Sequence, residues 1–392
     1  MRKDAKSPVM FEATPPSTTS SSLLARLTPR QRMVTDRLAA RFREAGEGLY
    51  LVGGIVRDLL LGRDLPADLD FTTSAVPELT QRLAAEAGAV SIYLVGERFG
   101  TVGAVFGSEP ERLLVEITTY RQEHYPDVTR FPVVRFGAAL ADDLSRRDFT
   151  INAIAADAVT GAIVDPFGGE ADIALGVLHA VGDPDERFAE DPLRLLRAAR
   201  FVAQLGFRID WETEAAMRRH AADLRRISRE RIYAELTKLL VGPYAESGLD
   251  ALRRVGLLVE AIPELAGLNE EAEIDPRDRL NREKDLWEHT LRVVRQAPPR
   301  PVVRWAALLH DAAKPQTRSV DRFGEVHFFG HERVGAERAA AALRRLKADK
   351  ATTAAVQTLV ALHGRPAAYE PDWTDSAIRR LALDAGEAWD DL

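Results

Sequence analysis

Two aspartates, Asp68 and Asp70, follow the diglycine Gly53-Gly54 in the stretch YLVGGIVRDLLLGRDLPADLDFTT, residues 50 to 73. Successive side chains of a strand point to opposite faces, so on a strand Asp68 and Asp70 share a face while Leu69 turns to the core. Two carboxylates this close repel unless a cation lies between them. A hard divalent ion with oxygen ligands meets that need, and Mg²⁺ on a phosphate substrate is the commonest case. The diglycine stands just ahead of a segment with helical spacing, Ile55 to Leu61. Backbone N–H groups at such a turn and helix start form an anion site. A phosphate cradle beside metal-binding carboxylates points to phosphoryl or nucleotidyl transfer.

Three further stretches carry chemistry. In SRRDFTINAIA, residues 145 to 155, Arg147 and Asp148 are expected at the head of a helix with Asn152 one turn on. The arginine suits forked pairing with triphosphate oxygens, and the amide suits a ribose hydroxyl. In AEDPLRLLRAARFVAQLGF, residues 189 to 207, Glu190-Asp191 is expected to open a helix, which puts Asp191 and Arg194 side by side, with Arg197 next. A carboxylate accepts from the exocyclic amino group of cytosine or adenine, and a guanidinium donates to ring nitrogen or carbonyl oxygen. The third set is histidine-based: His289, His310-Asp311, His331 and His363 all lie on or beside expected helices. Imidazoles with a carboxylate suit Mn²⁺, Ni²⁺ or Fe²⁺.

The elements that must hold these residues fall into two classes. Up to about residue 160 the pattern alternates: a helix opened by the Thr28-Pro29 cap, then strands near 50–52, 68–70, 90–95, 101–106 and 112–119 with helices at 55–61 and 77–88. From about residue 190 almost every segment has helical periodicity, at 190–205, 211–224, 228–241, 246–256, 286–296, 303–313, 331–347, 350–363 and 374–384. Residues 1–27, rich in Ser, Thr and Pro, read as disordered, and Asp275-Pro276 with the charged run to Lys284 reads as a linker. The DPFGGEADI stretch, 165 to 173, reads as a hinge.

The ordered set GG-x-V-R-D, spacer, D-x-D resembles the signature of the DNA polymerase β-type nucleotidyltransferase superfamily. It is most similar to the class II tRNA nucleotidyltransferases (CCA-adding enzymes) and the related bacterial poly(A) polymerases. The resemblance implies an α+β protein: a polymerase β-like α/β head (28–160), a helical neck that binds nucleotide and tRNA (161–270) and a helical HD-type domain (271–392). It implies catalytic Asp68, Asp70 and Glu116, the last in LLVEITTYR, and two Mg²⁺ ions on the aspartates. It implies nucleotide contacts from Gly53, Gly54, Arg57, Arg147, Asp148, Asn152, Asp191, Arg194, Arg197 and Arg200. A loop with Arg121, Tyr125, Asp127, Arg130 and Pro132 is implied to assist the switch to ATP. The RIYAEL segment with Arg231 and Glu235 is read as neck support. The H…HD spacing resembles the HD metal-dependent phosphohydrolases, with Asp375 a candidate final ligand. The implied activity is addition of CCA to tRNA from CTP and ATP. The same residues serve a CC- or A-adding partial enzyme or a poly(A) polymerase, and an HD phosphohydrolase with an RNA-binding head is the reading of another class.

Composition frames these expectations. At 392 residues, two or three domains with real cores are accessible. With no cysteine, disulfides and thiolate metal sites are excluded, and a reducing, cytoplasmic setting is expected. No apolar run approaches the ~18 residues a membrane span needs. The net charge of −7 argues against a uniformly basic nucleic-acid binder. Yet from Arg187 to Lys238 basic residues outnumber acidic ones, and charge placement rather than total steers a polyanion. The chain stops at DAGEAWDDL with no closing cap, which reads as truncation or lack of a tail.

Overall fold

The computed structural model describes residues 23–95, 100–124, 133–136, 139–268, 286–367 and 373–392. The chain divides into two compact units, one running through Gly182 and one from Asp183.

The first unit is built on a seven-stranded sheet. Its strands are β1 (Leu49–Val52), β2 (Leu69–Thr73), β3 (Ser91–Val95), β4 (Thr101–Phe106) and β5 (Leu113–Thr119), joined after a separate hairpin, β6 (Arg121–His124) and β7 (Val133–Phe136), by β8 (Ala155–Asp157) and β9 (Ile163–Val164). The order is β3-β4-β5-β2-β1-β8-β9. β2 and β5 pair in parallel, and the other pairs are antiparallel. Burial alternates along β5, so Leu113, Val115 and Ile117 enter the core while Glu116 faces out. β9 extends the sheet past the boundary expected at residue 160, because Asp157 Oδ1 accepts from Val159 N and Thr160 N and closes a tight turn that returns the chain to β8. Two apolar residues are too short a run to announce a strand.

The helix Pro29–Glu44 starts as expected, with a reciprocal pair between Thr28 and Gln31. Leu23, Leu24 and Leu27 pack into the same core as Val34, Leu38, Phe71 and Val115. Ordered chain therefore precedes residue 28, contrary to the expected boundary; residues 1–22 lie outside the described residues. Helix Gly54–Leu61 begins after Gly53, whose φ of 76° and ψ of −133° strain any residue with a Cβ.

The stretch expected to act as a hinge is a capped, packed junction. Asp165 accepts from Gly169 N and Glu170 N at the start of helix Gly169–Leu175. A Cβ on Gly169 would lie 2.2 Å from the Thr150 carbonyl oxygen.

The second unit is helical. The single helix expected over 190–205 is two, Pro184–Glu190 and Leu193–Leu205. Asp191 between them is extended, φ −140° and ψ 98°, because Pro192 disfavours helical backbone in the residue before it. Helices Trp211–His220, Arg229–Leu240 and Ala245–Arg254 follow. The chain beyond the expected linker, which lies outside the described residues, forms helices Leu286–Gln296, Pro301–Leu309, His331–Arg345, Lys350–Leu362 and Asp375–Ala385. No described helix is long and apolar enough to cross a membrane.

Gly169→Ala forces either the helix or the Thr150–Asn152 turn to move. The expected cost is about 1–3 kcal/mol, the usual range for overpacking, read as an earlier urea midpoint with an unchanged slope. An unshifted midpoint would show that the junction is loose.

Candidate active site and metal centre

In the first unit the parallel register sets Asp70 directly opposite Glu116. Asp68 stands in a bend one residue ahead of β2 rather than on the strand. Solvent reaches Asp70, yet protein crowds it on the other sides. Its carboxyl is pushed up to about 6, first by burial, then by Glu116 and Asp68, while Arg147 pulls it down. Four residues separated in sequence thus act on one another: three carboxylates against one guanidinium. That excess of negative charge fits a divalent cation held by Asp68 and Asp70.

Arg147 comes from a different local structure than expected. The helix Leu140–Ser145 ends before it, and a 3-10 turn, Thr150–Asn152, follows. Arg147 Nη2 donates to Asp143 Oδ2 at 3.4 Å, and a Cβ on Gly53 would lie 3.1 Å from its Nη1, so the diglycine turn and the arginine adjoin. Asp143 is fully buried. Burial opposes its charge, but Arg146, Arg147 and the Thr72 hydroxyl on β2 hold its carboxyl below the ordinary range. Nearby, Arg57 Nη1 donates to Asn152 Oδ1 at 2.8 Å and Asn152 Nδ2 donates to Asp148 Oδ1 at 3.0 Å, which fixes the buried amide at both ends. Of the expected ATP-switch loop, Arg121 opens β6; Tyr125, Asp127, Arg130 and Pro132 lie outside the described residues.

In the second unit Asp191 and Arg194 are not a pair on one helix face. Asp191 precedes the helix; its Oδ1 accepts from Leu193 N at 3.1 Å and its Oδ2 from Arg231 Nη2 at 2.9 Å. Arg194 donates to Glu190 Oε2 at 2.7 Å and to the Arg187 carbonyl at 3.0 Å. Arg231 and Glu235, expected as an i,i+4 pair, reach apart: Glu235 accepts from buried Arg200 at 3.0 Å. Arg200 is therefore committed inside this unit, and partly exposed Arg197 lies 5.4 Å from the Phe201 ring.

The histidines converge. His289 lies on helix Leu286–Gln296, His310 and Asp311 directly follow Pro301–Leu309, His331 opens one helix and His363 closes another. Asp311 is 0% exposed at their centre. His310 Nε2 is 3.1 Å and His289 Nε2 3.5 Å from its Oδ2; His331 Nε2 is 3.6 Å and His363 Nε2 3.9 Å from its Oδ1. Lys314 Nζ lies 2.8 Å from Oδ2, yet neither carboxylate oxygen receives a well-directed hydrogen bond among the described residues. Burial opposes the charge of Asp311, but His310 and Lys314 hold its carboxyl well below the usual range. The Nδ1 atoms of His310, His331 and His363 lie 2.7–2.8 Å from the carbonyls of Ala307, Phe328 and Val360. A carbonyl only accepts, so each Nδ1 is the protonated donor and Nε2 is turned to the carboxylate. Burial lowers the pKa of His289 and His363, favouring neutral rings. This donor set fits a metal ion. Asp375 does not join it: its side chain is 88% exposed, 3.9 Å from Arg379.

Residues 49–179 match the family model for the "Poly A polymerase head domain", residues 206–268 that for the "Probable RNA and SrmB- binding site of polymerase A", and residues 286–385 that for the "HD domain". A CCA-adding enzyme of Geobacillus sp. (strain WCH70) is 45% identical over 55% of this chain and 50% of its own length. One from Lactobacillus helveticus (strain DPC 4571) is 42% identical over 62% of this chain and 59% of its own. The chain thus spans about half the length of the curated relatives it matches. The crystal structure of the Bacillus stearothermophilus CCA-adding enzyme in complex with CTP is 30% identical, with a TM-score of 0.68, covering 93% of this chain and 78% of that one. The chain belongs to the CCA-adding enzyme and poly(A) polymerase family. A tRNA nucleotidyltransferase complexed with a primer tRNA and an incoming ATP analog, 23% identical with a TM-score of 0.59 over 90% of this chain and 92% of that one, shares the fold.

For a member of the CCA-adding enzyme family, the head and HD domains both imply dependence on divalent metal. Sequence reasoning missed Asp143, Arg231 as the partner of Asp191, and Lys314. The i,i+4 spacing of Asp143 and Arg147 was the available signal for the first; the others meet their partners through tertiary structure or a helix end.

The raised Asp70 pKa sets a pH dependence. The folded state holds the Asp70 proton more tightly than the unfolded chain, so its contribution to stability is present at low pH and lost as pH rises through about 6. With divalent ions chelated, Asp70→Asn raises the melting temperature of the head at pH 8, and the gain shrinks by pH 5. Equal shifts at both pH values would show that Asp70 is an ordinary solvated carboxylate.

Proposed function

We propose that this chain adds CCA to the 3′ end of tRNA in the cytoplasm, taking CTP and ATP in turn without a nucleic-acid template. The observation that carries the reading is the opposition of Asp70 and Glu116 beside Asp68, faced by Arg147 and adjoining the Gly53-Gly54 turn. In nucleotidyl transfer the tRNA 3′-hydroxyl attacks the α-phosphate and pyrophosphate leaves. Asp68 and Asp70 would hold Mg²⁺, which when bound would supply positive charge beside the α-phosphate and lower the pKa of the attacking hydroxyl. Arg147 offers its fork to triphosphate oxygens, and the N–H groups at the start of helix Gly54–Leu61 face the same anion. Asp143 keeps Arg147 in place, and the Arg57–Asn152–Asp148 chain presents a fixed amide for the ribose. Asp191 and Arg194 read the base, with Arg231 fixing Asp191. Each Asp191 oxygen retains a second lone pair for an exocyclic amino group. The HD centre binds Mn²⁺, Ni²⁺ or Fe²⁺ through His289, His310, Asp311, His331 and His363.

Asp68→Ala or Asp70→Ala lowers nucleotide incorporation by about 10²–10³-fold or more, as loss of a transition-state electrostatic partner does, with an unchanged or higher melting temperature. The assay uses tRNA lacking CCA, with CTP and ATP singly and together, followed by product sequencing. Activity within a few-fold of wild type removes these residues from catalysis, and a long A tail in place of CCA selects the poly(A) polymerase reading.

Asp191→Ala relaxes discrimination against UTP and GTP by about 10–100-fold, the loss of one base-edge contact. KM for the triphosphate moves less, since the proposed phosphate contacts are Arg147 and the Gly53-Gly54 turn rather than Asp191. Unchanged discrimination places base reading elsewhere.

A further inference from the structure

Asp172, on helix Gly169–Leu175, is a buried carboxylate behind the nucleotide-facing groups of the head. Its Oδ2 accepts from the Thr150 hydroxyl at 2.5 Å, and its Oδ1 accepts from His179 Nδ1 at 2.8 Å. Thr150 opens the 3-10 turn that carries Asn152. We infer that Asp172 is a positioning residue: with His179 it clamps the Thr150–Asn152 turn and so sets the amide that meets the ribose of the incoming nucleotide. The inference rests on the reading of Asn152 as the ribose contact and goes beyond it in naming what holds that contact in place.

Backbone pairing brings the parts together. Val181 N donates to the Asp148 carbonyl at 3.2 Å, Thr150 N donates to the His179 carbonyl at 3.0 Å, and Phe149 faces Ala180 in an antiparallel bridge between them. Past Thr150 the backbone bonds close within the turn, Asn152 N to the Phe149 carbonyl and Ala153 N to the Thr150 carbonyl. Asp172 therefore ties the turn to His179 where the pairing between the two segments gives way. The absence of a side chain on Gly169 allows this approach, since a Cβ there would lie 2.2 Å from the Thr150 carbonyl oxygen.

A buried carboxylate is costly unless it is paired and hydrogen-bonded, so packing alone does not account for Asp172. An apolar residue would fill the space at less desolvation cost. What a carboxylate adds is one accepting oxygen for each of two donors, a grip on both Thr150 and His179 at once. The grip passes to the site within two residues. Asn152 Nδ2 donates to Asp148 Oδ1 and Asn152 Oδ1 accepts from Arg57 Nη1, which leaves one amide hydrogen for a ribose hydroxyl. A site built to bond a hydroxyl rejects the analogue that lacks it, because its own polar group is then left unpaired. Loosening the turn therefore weakens the choice of ribose over deoxyribose.

The test compares kcat/KM for CTP and dCTP in the full chain, with tRNA lacking CCA as acceptor. Asp172→Asn keeps the shape of the side chain but offers one accepting oxygen in place of two. It lowers the preference for CTP over dCTP by about 10-fold, less than the ~10²-fold of a full ångström of misplacement. The loss falls on CTP, and kcat/KM for dCTP moves little. Thr150→Val, which removes the hydroxyl alone, gives the same loss, and Thr150→Ser keeps the wild-type preference. Melting temperatures are recorded for each variant, and if Asp172→Asn does not fold, the two Thr150 variants decide. Asn152→Ala measures the ribose contact itself and abolishes the preference. If it does so while Asp172→Asn and Thr150→Val keep the preference, at whatever melting temperature, the clamp is overturned and the ribose contact stands. If Asn152→Ala keeps the wild-type preference, the ribose reading falls and the clamp falls with it.

Discussion

Parallel pairing of β2 with β5 brings two carboxylates to adjacent positions about 4.8 Å apart across the strands, and the first unit is arranged around that repulsion. Asp68 adds to it from the bend before β2, and Arg147 alone opposes it among the groups that shift Asp70. The rest of the motif keeps Arg147 where it is. Fully buried Asp143 ties it to Thr72, in the strand that carries Asp70. Gly53 lets the opposite wall come close. A site whose charge is unfavourable without a ligand is poised for a cation and a polyphosphate, at a cost in stability above pH 6.

The HD centre applies the same electrostatics at greater depth. One buried carboxylate gathers four imidazoles from four helices or helix ends. In the head the excess charge is open to solvent and to exchangeable ions. Around Asp311 it is enclosed, and nitrogen donors replace oxygen donors. The proposed assignment of Mg²⁺ to one unit and transition metals to the other follows from the chemistry of the donors.

Much of this was legible in the sequence. Period-two and helical patterns located most core strands and helices, and the Thr28-Pro29 cap and the helix over 286–296 fell as expected. The misses have definite causes. Glu190-Asp191 reads locally as a helix start, whereas the ring of Pro192 forces Asp191 to extend. That single break redirects Asp191 to Arg231 and Arg194 to Glu190, pairings that no local spacing announces. Arg200 looked like a ligand-facing arginine and is the buried partner of Glu235, thirty-five positions away. Asp375 was named for want of a final acidic ligand, and it points to solvent. Local rules reach helix ends and strand faces; they do not reach which charge meets which across the core.

Three of the four clustered histidines, His310, His331 and His363, send Nδ1 to the carbonyl three residues earlier. In many metal sites the equivalent bond goes to a carboxylate elsewhere in the fold, so the outer partner must be inherited along with the ligand. Here the partner is backbone, present whatever the residue at 307, 328 or 360. The orienting half of the centre is thus written into chain geometry and is immune to side-chain substitution. Neighbouring positions are free to drift while each imidazole keeps its tautomer, and such a centre is lost by replacing a ligand, not by eroding its surroundings.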